Sequence, residues 1–313
     1  MAEERIDTNA VSPAGKTRFL ILVRSVKGQR RARLLIESLR AFGGRLRDCP
    51  VWVFLPYPAS VPCEYPGIEK VHCMPLVLED EFRHYLFADK VHACAQAEAM
   101  AVQEDVRSLV WSSPSSLILN PPVLCDLSPS FDAAFRPVHI KNVGLSVDEP
   151  LDDFWKEIYR TVGVSDTPLT VESFVDSRQL RPYYNTHLFS MNPSKGVLRT
   201  WFECFKTMVS DQAFQSGPCG DQDHKIFLHQ AILSALVTKL LDWERTRILP
   251  PEYSYPLHLH QQVPQTRRPQ TLNSLVCPVY EQVYRYPDTL NGIQVHEPLS
   301  SWLMKRMPTK RDT

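Results

Sequence analysis

The sequence predicts an α/β protein, and three observations carry that reading. Phe19 to Val23 (FLILV) and Val51 to Leu55 (VWVFL) are continuous apolar runs of the kind found in parallel strands buried on both faces. Between them Leu34, Leu35, Leu39 and Phe42 recur at helical spacing and Gly43-Gly44 follows, which completes a strand, loop and helix unit. Farther on, Lys90 to Gln103 carries Val91, Ala95, Glu98, Ala99 and Val102 at helical spacings without Gly or Pro, and it leads into the apolar Leu109-Val110-Trp111.

Taken in order, residues 1–16 read as a disordered polar leader, and the first core strand starts near Phe19. Pro56 and Pro58 stop the second strand, and Lys70 to Leu76 is a plausible third. The stretch Asp105 to Pro122 organises the rest: Leu109-Val110-Trp111, a Ser-Ser-Pro-Ser-Ser break, then Leu117-Ile118-Leu119 before Asn120-Pro121-Pro122. It predicts strand, sharp turn and short strand. Ligands collect at the carboxyl ends of strands in open α/β sheets, so this turn is a candidate site. Phe154, Ile158, Tyr159 and Val162 mark a helix within the acidic stretch Asp148 to Asp176. Lys225 to Leu241 predicts another helix. Leu257-His258-Leu259-His260 alternates, which would put both imidazoles on one face of a strand. Ile293 to Leu299 is a last strand, ending at His296, and residues 304–313 form a flexible basic tail.

The 313 residues, 43% of them hydrophobic, are enough for one large α/β domain. Lys plus Arg and Asp plus Glu both total 35, so no charge excess argues for nucleic acid as a partner. The N-terminus is polar and acidic where a secretory signal would be basic and then apolar, and no apolar run approaches the roughly 18 residues of a membrane span. A cytoplasmic, soluble protein without a membrane span is expected. The eight cysteines are scattered with no Cys-x-x-Cys pair and read as reduced thiols. No Gly-x-Gly-x-x-Gly, Walker-type loop or Gly-x-Ser-x-Gly elbow occurs, so dinucleotide, P-loop and α/β-hydrolase chemistry lack support.

The order of helix, "LVW", short polar turn, "LIL" and "NPP" resembles the central segment of nucleotide-diphospho-sugar glycosyltransferases of the GT-A fold, the glycogenin-like group included. Phe131 to Phe135 resembles a short strand that follows in those enzymes, Tyr183 to Trp201 is similar to their "fNsGvfvfnp" segment, in which a strand enters a helix, Leu228 to Leu233 to their "DQ..l" element, and Leu249 to Pro256 to their "lP..yN" stretch. The resemblance covers roughly Thr17 to Leu303 in linear order, and implies a single GT-A-like domain at 17–303 with a mixed, mostly parallel central sheet flanked by helices. It also implies a nucleotide-sugar donor and an acceptor that the sequence does not identify.

Residue by residue, the family's Asp-x-Asp metal motif falls on Ser113-Pro114-Ser115, where both carboxylates are missing. Hydroxyls are poor substitutes for the anionic oxygens that magnesium and manganese prefer, so no cofactor and no metal site are expected. Cationic side chains would then neutralise the diphosphate. The resemblance puts Arg24 and Ser25 at the nucleotide, with Lys90, Ser113 and Ser115 near the diphosphate. Asn185, His187, His229 and Gln230 fall around the transferred sugar. His187 replaces a glycine and either faces the ligand or points outward; His229 stands where the family has an acid. Asp221 and Asp223 are the alternative carboxylates for acid chemistry, or else a solvated helix start. His296 matches the His of a C-terminal "HxxGxxKPW" segment, without its Gly. With three carboxylate positions lost, an inactive relative that binds a nucleotide, glycan or protein partner is the alternative to a working transferase.

Overall fold

The computed structural model describes residues 14–56, 62–165, 167–280 and 293–306. The two apolar runs become neighbouring parallel strands, β1 (Thr17–Leu22) and β2 (Val51–Pro56), joined through helix α1 (Val26–Phe42). Strand β3 (Val71–Leu76) and the single turn α2 (Asp80–Arg83) precede helix α3 (Ala88–Gln103), which leads into β4 (Ser108–Ser112). Then follow β5 (Ala133–Pro137), α4 (Asp153–Val162), the small pair β6 (Val171–Glu172) and β7 (Gln179–Leu180), and the long β8 (Tyr184–Met191). Helices α5 (Val197–Ser210), α6 (Gln212–Ser216) and α7 (Gln222–Leu240), strands β9 (Thr246–Ile248), β10 (Tyr253–Pro256) and β11 (Cys277–Val279), and helix α8 (Leu299–Met304) complete the chain.

Among the described residues seven strands form the central sheet in the order β3-β2-β1-β4-β8-β5-β9. Every neighbouring pair is parallel except those involving β8, which runs antiparallel between β4 and β5. The predicted mixed, mostly parallel sheet flanked by helices is therefore what the chain forms. Alternate residues of β1 feed two cores: Phe19 and Ile21 pack with Leu35, Ile36 and Leu39 of α1, while Leu20 and Leu22 join the larger core beneath α3, α5 and α7. Burial on both faces explains why these strands read as unbroken apolar runs.

Several expectations are corrected. Leu117 to Leu119 is extended, with the Leu117 and Leu119 amides bonded to the Pro278 and Val276 carbonyls at 3.1 and 2.9 Å, but it forms no named strand. Pro278 has no N–H to return, so a full ladder is impossible there. Leu257–Leu259 is a 3-10 turn rather than part of a strand, with His260 turned inward to the Tyr255 hydroxyl at 2.8 Å. The expected strand at Ile293 to Leu299 amounts to one bridge between Thr271 and Gln294.

Of the leader, residues 1–13 lie outside the described residues, while Ala14–Lys16 is a 3-10 turn. Of the tail, 307–313 lie outside them, but Met304 closes α8 and Arg306 pairs with Glu37 at 3.0 Å. Nor are all cysteines reduced: Cys63 and Cys73 form a disulfide with Cα atoms 6.1 Å apart, a separation within the ordinary range. Scattered spacing hid this pair because the two residues meet only when the chain beyond β2 folds back into β3. No helix among the described residues is long and apolar enough to cross a membrane.

Candidate functional site

Strand order reverses at β1, because β2 and β3 lie to one side of it and β4 to the other. Such a switch point leaves a crevice at the carboxyl ends of the two strands. In this chain the loop after β1 holds Arg24 and Ser25, and the loop after β4 holds Ser113, Pro114 and Ser115. Since β8 is antiparallel and its Leu188 aligns with Ser112, the first residues of β8 (Asn185, Thr186 and His187) emerge at the same edge. The end of β5 adds Val138 and His139, α3 adds Phe87 and Lys90, α7 adds His229 and Gln230, and the turn after β10 adds His258. Together they line a cleft of about 650 Å³.

The cationic end is built on α1. Ser25 caps the helix by accepting from the Gly28 amide at 3.1 Å, so the positive end of the helix dipole opens on the cleft. Lys27 and Arg31, on the first turns, line it as well. Arg31 donates to Ser115 Oγ at 3.0 Å, while the Ser113 amide bonds the His187 carbonyl at 2.8 Å; the serine turn is thereby pinned to both α1 and β8. Arg24 pairs with Asp89 through Nε and Nη2, each donating to one carboxylate oxygen. Among the described residues no Asp or Glu lines the cleft, and no group of three His, Cys, Asp or Glu could hold a metal ion.

Lys90 forms the floor, 6% exposed, with Nζ donating to the Thr186 carbonyl at 2.7 Å and lying 5.2 Å from the Trp111 ring centre. Burial outweighs these contacts and pulls the ammonium down to about 7, with Cys94 and Asp89 working in the other direction. A bound anion would restore its charge.

The histidines occupy the other end. Asn185 Oδ1 accepts the His187 amide at 2.7 Å, which identifies it as the oxygen, and it lies 2.8 Å from His187 Nδ1. The proton of a neutral His187 ring must therefore sit on Nδ1, leaving the lone pair on Nε2. His229 is different. Its Nδ1 donates to the Ile226 carbonyl at 2.9 Å, its Nε2 accepts from the Thr186 hydroxyl at 3.1 Å, and its ring stacks on Phe87 at 4.2 Å. Burial, then Lys90, holds it well below the ordinary imidazole range, so it is a neutral support with no nitrogen left for proton transfer. Phe87 itself sits in the left-handed region at φ 65°, a strained conformation for an aromatic residue that places its ring against His229 and Lys90.

Of the residues singled out from sequence, the fold brings Arg24, Ser25, Lys90, Ser113, Ser115, Asn185, His187, His229 and Gln230 to this one cleft. Asp221, Asp223 and His296 are elsewhere. Asp221 caps α7, accepting from the His224 amide at 3.0 Å, and Asp223 lies exposed in the first turn, two turns short of the cleft-facing His229 and Gln230. His296 is exposed, its amide donating to the Asn273 side chain at 2.8 Å. Sequence reading missed Lys27 and Arg31, although the Arg30-Arg31 pair was a visible signal. It also missed His139, a buried residue whose ring centre lies 6.0 Å from that of His187 and whose ring has no hydrogen-bond partner at either nitrogen among the described residues. Burial, then His187, keeps His139 well below the usual imidazole range.

No protein-family model matches the chain, and no curated protein matches it.

Proposed function

We propose that the chain is a GT-A-like glycosyltransferase that binds a nucleotide-diphospho-sugar and neutralises the diphosphate with protein cations. The observation that carries the reading is the cleft at the switch point: Arg24, Lys27, Arg31 and Lys90 line it together with the N-terminus of α1, and among the described residues no carboxylate lines it, Asp89 pairing with Arg24 from outside the lining. That is a site for a polyanion. Its other end, with neutral His139 beside His187 and Asn185, offers hydrogen-bond donors and acceptors, which suits the hydroxyls of a sugar ring. In this reading the Lys90 ammonium and the helix end stabilise the departing diphosphate. His187 Nε2 takes the proton of the acceptor hydroxyl, with Asn185 holding the ring. His229 only supports Phe87 and Thr186.

Thermal unfolding with a panel of nucleoside diphosphates tests the reading. A ligand present at a hundred times its dissociation constant adds about 2.7 kcal/mol, which is readily measured as a shift in Tm. If none of the diphosphates shifts Tm, the reading is wrong. Binding without transfer is the second reading, favoured because no carboxylate among the described residues lines the cleft to serve as acid, base or metal ligand. Donor turnover separates the two: a transferase consumes the sugar nucleotide faster than the His187→Gln variant does, whereas a pure binder shows equal background rates.

A further inference from the structure

A second cleft of about 620 Å³ lies at the far edge of the sheet, beyond the ends of β5 and β9, and nothing in the nucleotide-sugar reading uses it. Arg136 of β5 lines it. This arginine is 6% exposed, and its guanidinium makes no hydrogen bond and no ion pair with any described residue. Instead it lies 5.0 Å from the centre of the Phe174 ring. Burying a cation without a partner is costly, so Arg136 is a group whose complement is missing.

The surroundings narrow the complement. Arg267, the other cation of the cleft, is already engaged with Glu172 at 2.6 Å and with the Phe174 carbonyl at 3.2 Å. Glu252, exposed at the rim, faces Arg136 without approaching to ion-pair distance. One unsatisfied cation with two acids nearby suits a single negative charge and disfavours a dianion, because a second charge would meet Glu172 and Glu252. The walls are apolar: Phe174 within, Trp243 and Ile248 toward the opening.

We propose that this cleft binds a small monocarboxylate with an apolar body, the carboxylate paired with Arg136 and the body laid on Phe174, Trp243 and Ile248. A carboxylate can take two parallel N–H bonds from a guanidinium, and an apolar body is favoured by the surrounding rings. Segment Arg136 to His139 forms a wall common to both clefts, since Val138 and His139 face the first. The two sites are separate nonetheless, because the Phe174 and Val175 amides bond the Val138 and His139 carbonyls at 3.1 and 2.7 Å and close the passage with backbone.

Calorimetric titration of the full chain with 3-phenylpropanoate, and in parallel with its neutral amide, tests the proposal. The carboxylate is expected to bind saturably and the amide at least about tenfold more weakly, the difference a charge-assisted pair provides. Arg136→Met should abolish the carboxylate preference. Should that variant fail to fold, Trp243→Ala, which leaves Arg136 in place, should weaken the carboxylate by about tenfold through lost apolar contact. Arg31→Ala, in the first cleft, should leave carboxylate binding unchanged. Equal binding of acid and amide, no saturation below about 10 mM, displacement by inorganic phosphate, or loss of binding in Arg31→Ala would each overturn the proposal. So would a large drop in Tm in Glu252→Gln, which would make Glu252 the internal partner of Arg136.

Discussion

Lys90 is the residue on which structure and chemistry make opposing demands. It is charged when the cleft needs a cation, yet it is buried where a charge is unfavourable. Its folded pKa of about 7 lies below the ordinary 10.5. Below pH 7 both folded and unfolded chains carry the proton, and the full cost of burying the ammonium is felt. Between pH 7 and 10.5 the unfolded chain binds more protons than the folded one, so this contribution to stability rises with pH. Lys90→Met should therefore be more stable than the parent by about 2 kcal/mol at pH 6, with the gap closing toward pH 10.5. Denaturant melts across that range check the sign, and a variant less stable at pH 6 would refute it. The same substitution should weaken nucleoside diphosphate binding. In the parent, affinity should decline from pH 7 to pH 9 as Lys90 loses its proton, a trend that Lys90→Met should not show.

Two helices with similar caps carry different consequences. Ser25 caps α1 at the cleft, while Asp221 caps α7 away from it. Removing either cap costs about 1 kcal/mol of stability. Ser25→Ala should also reduce diphosphate affinity, because the helix end that faces the ligand loses its order, whereas Asp221→Ala should leave affinity untouched. Equal losses of affinity in both variants would mean that Asp221 reaches the ligand and that the cleft extends past the start of α7. At the same scale, Asp-rich sequence at a helix start is a poor guide to chemistry: the carboxylate of Asp221 is occupied with the His224 amide and ring.

For the whole molecule the clearest expectation concerns ions. Under the proposed function the cleft would counter a diphosphate with side chains and a helix end rather than with a carboxylate-bound cation, so affinity should change less than about twofold on adding chelator, well under the 1.4 kcal/mol of a tenfold effect. It should fall as salt rises, since Arg24 and Lys27 are exposed and screened. Titrations of the diphosphate with manganese, with chelator and at two salt concentrations decide it. A loss of more than tenfold on chelation would bring a metal site back into the account.

The sequence by itself determined the layers. Short β-branched and aromatic runs such as FLILV and VWVFL, bounded by polar and proline residues, fit strands covered on both faces, and the amphipathic stretch after Arg33 fits the helix that covers one of them. Because local pattern reports burial, the strands and helices of the N-terminal half were legible, and the polar break after β4 was legible as a place where residues gather, while the short strands β6, β7 and β9 to β11 and helix α8 were not. Tertiary structure decided what pattern cannot carry. The LHLH alternation became a turn because alternation says nothing of hydrogen-bond partners. His187 and His229 look alike in sequence, yet the ring of one is oriented by Asn185 through Nδ1 and the other spends both nitrogens on Ile226 and Thr186. Arg31 and His139 joined the site, and Asp223 and His296 left it, through contacts between segments distant in the chain. Such contacts depend on how strands are ordered in the sheet, and only the packed sheet specifies that order.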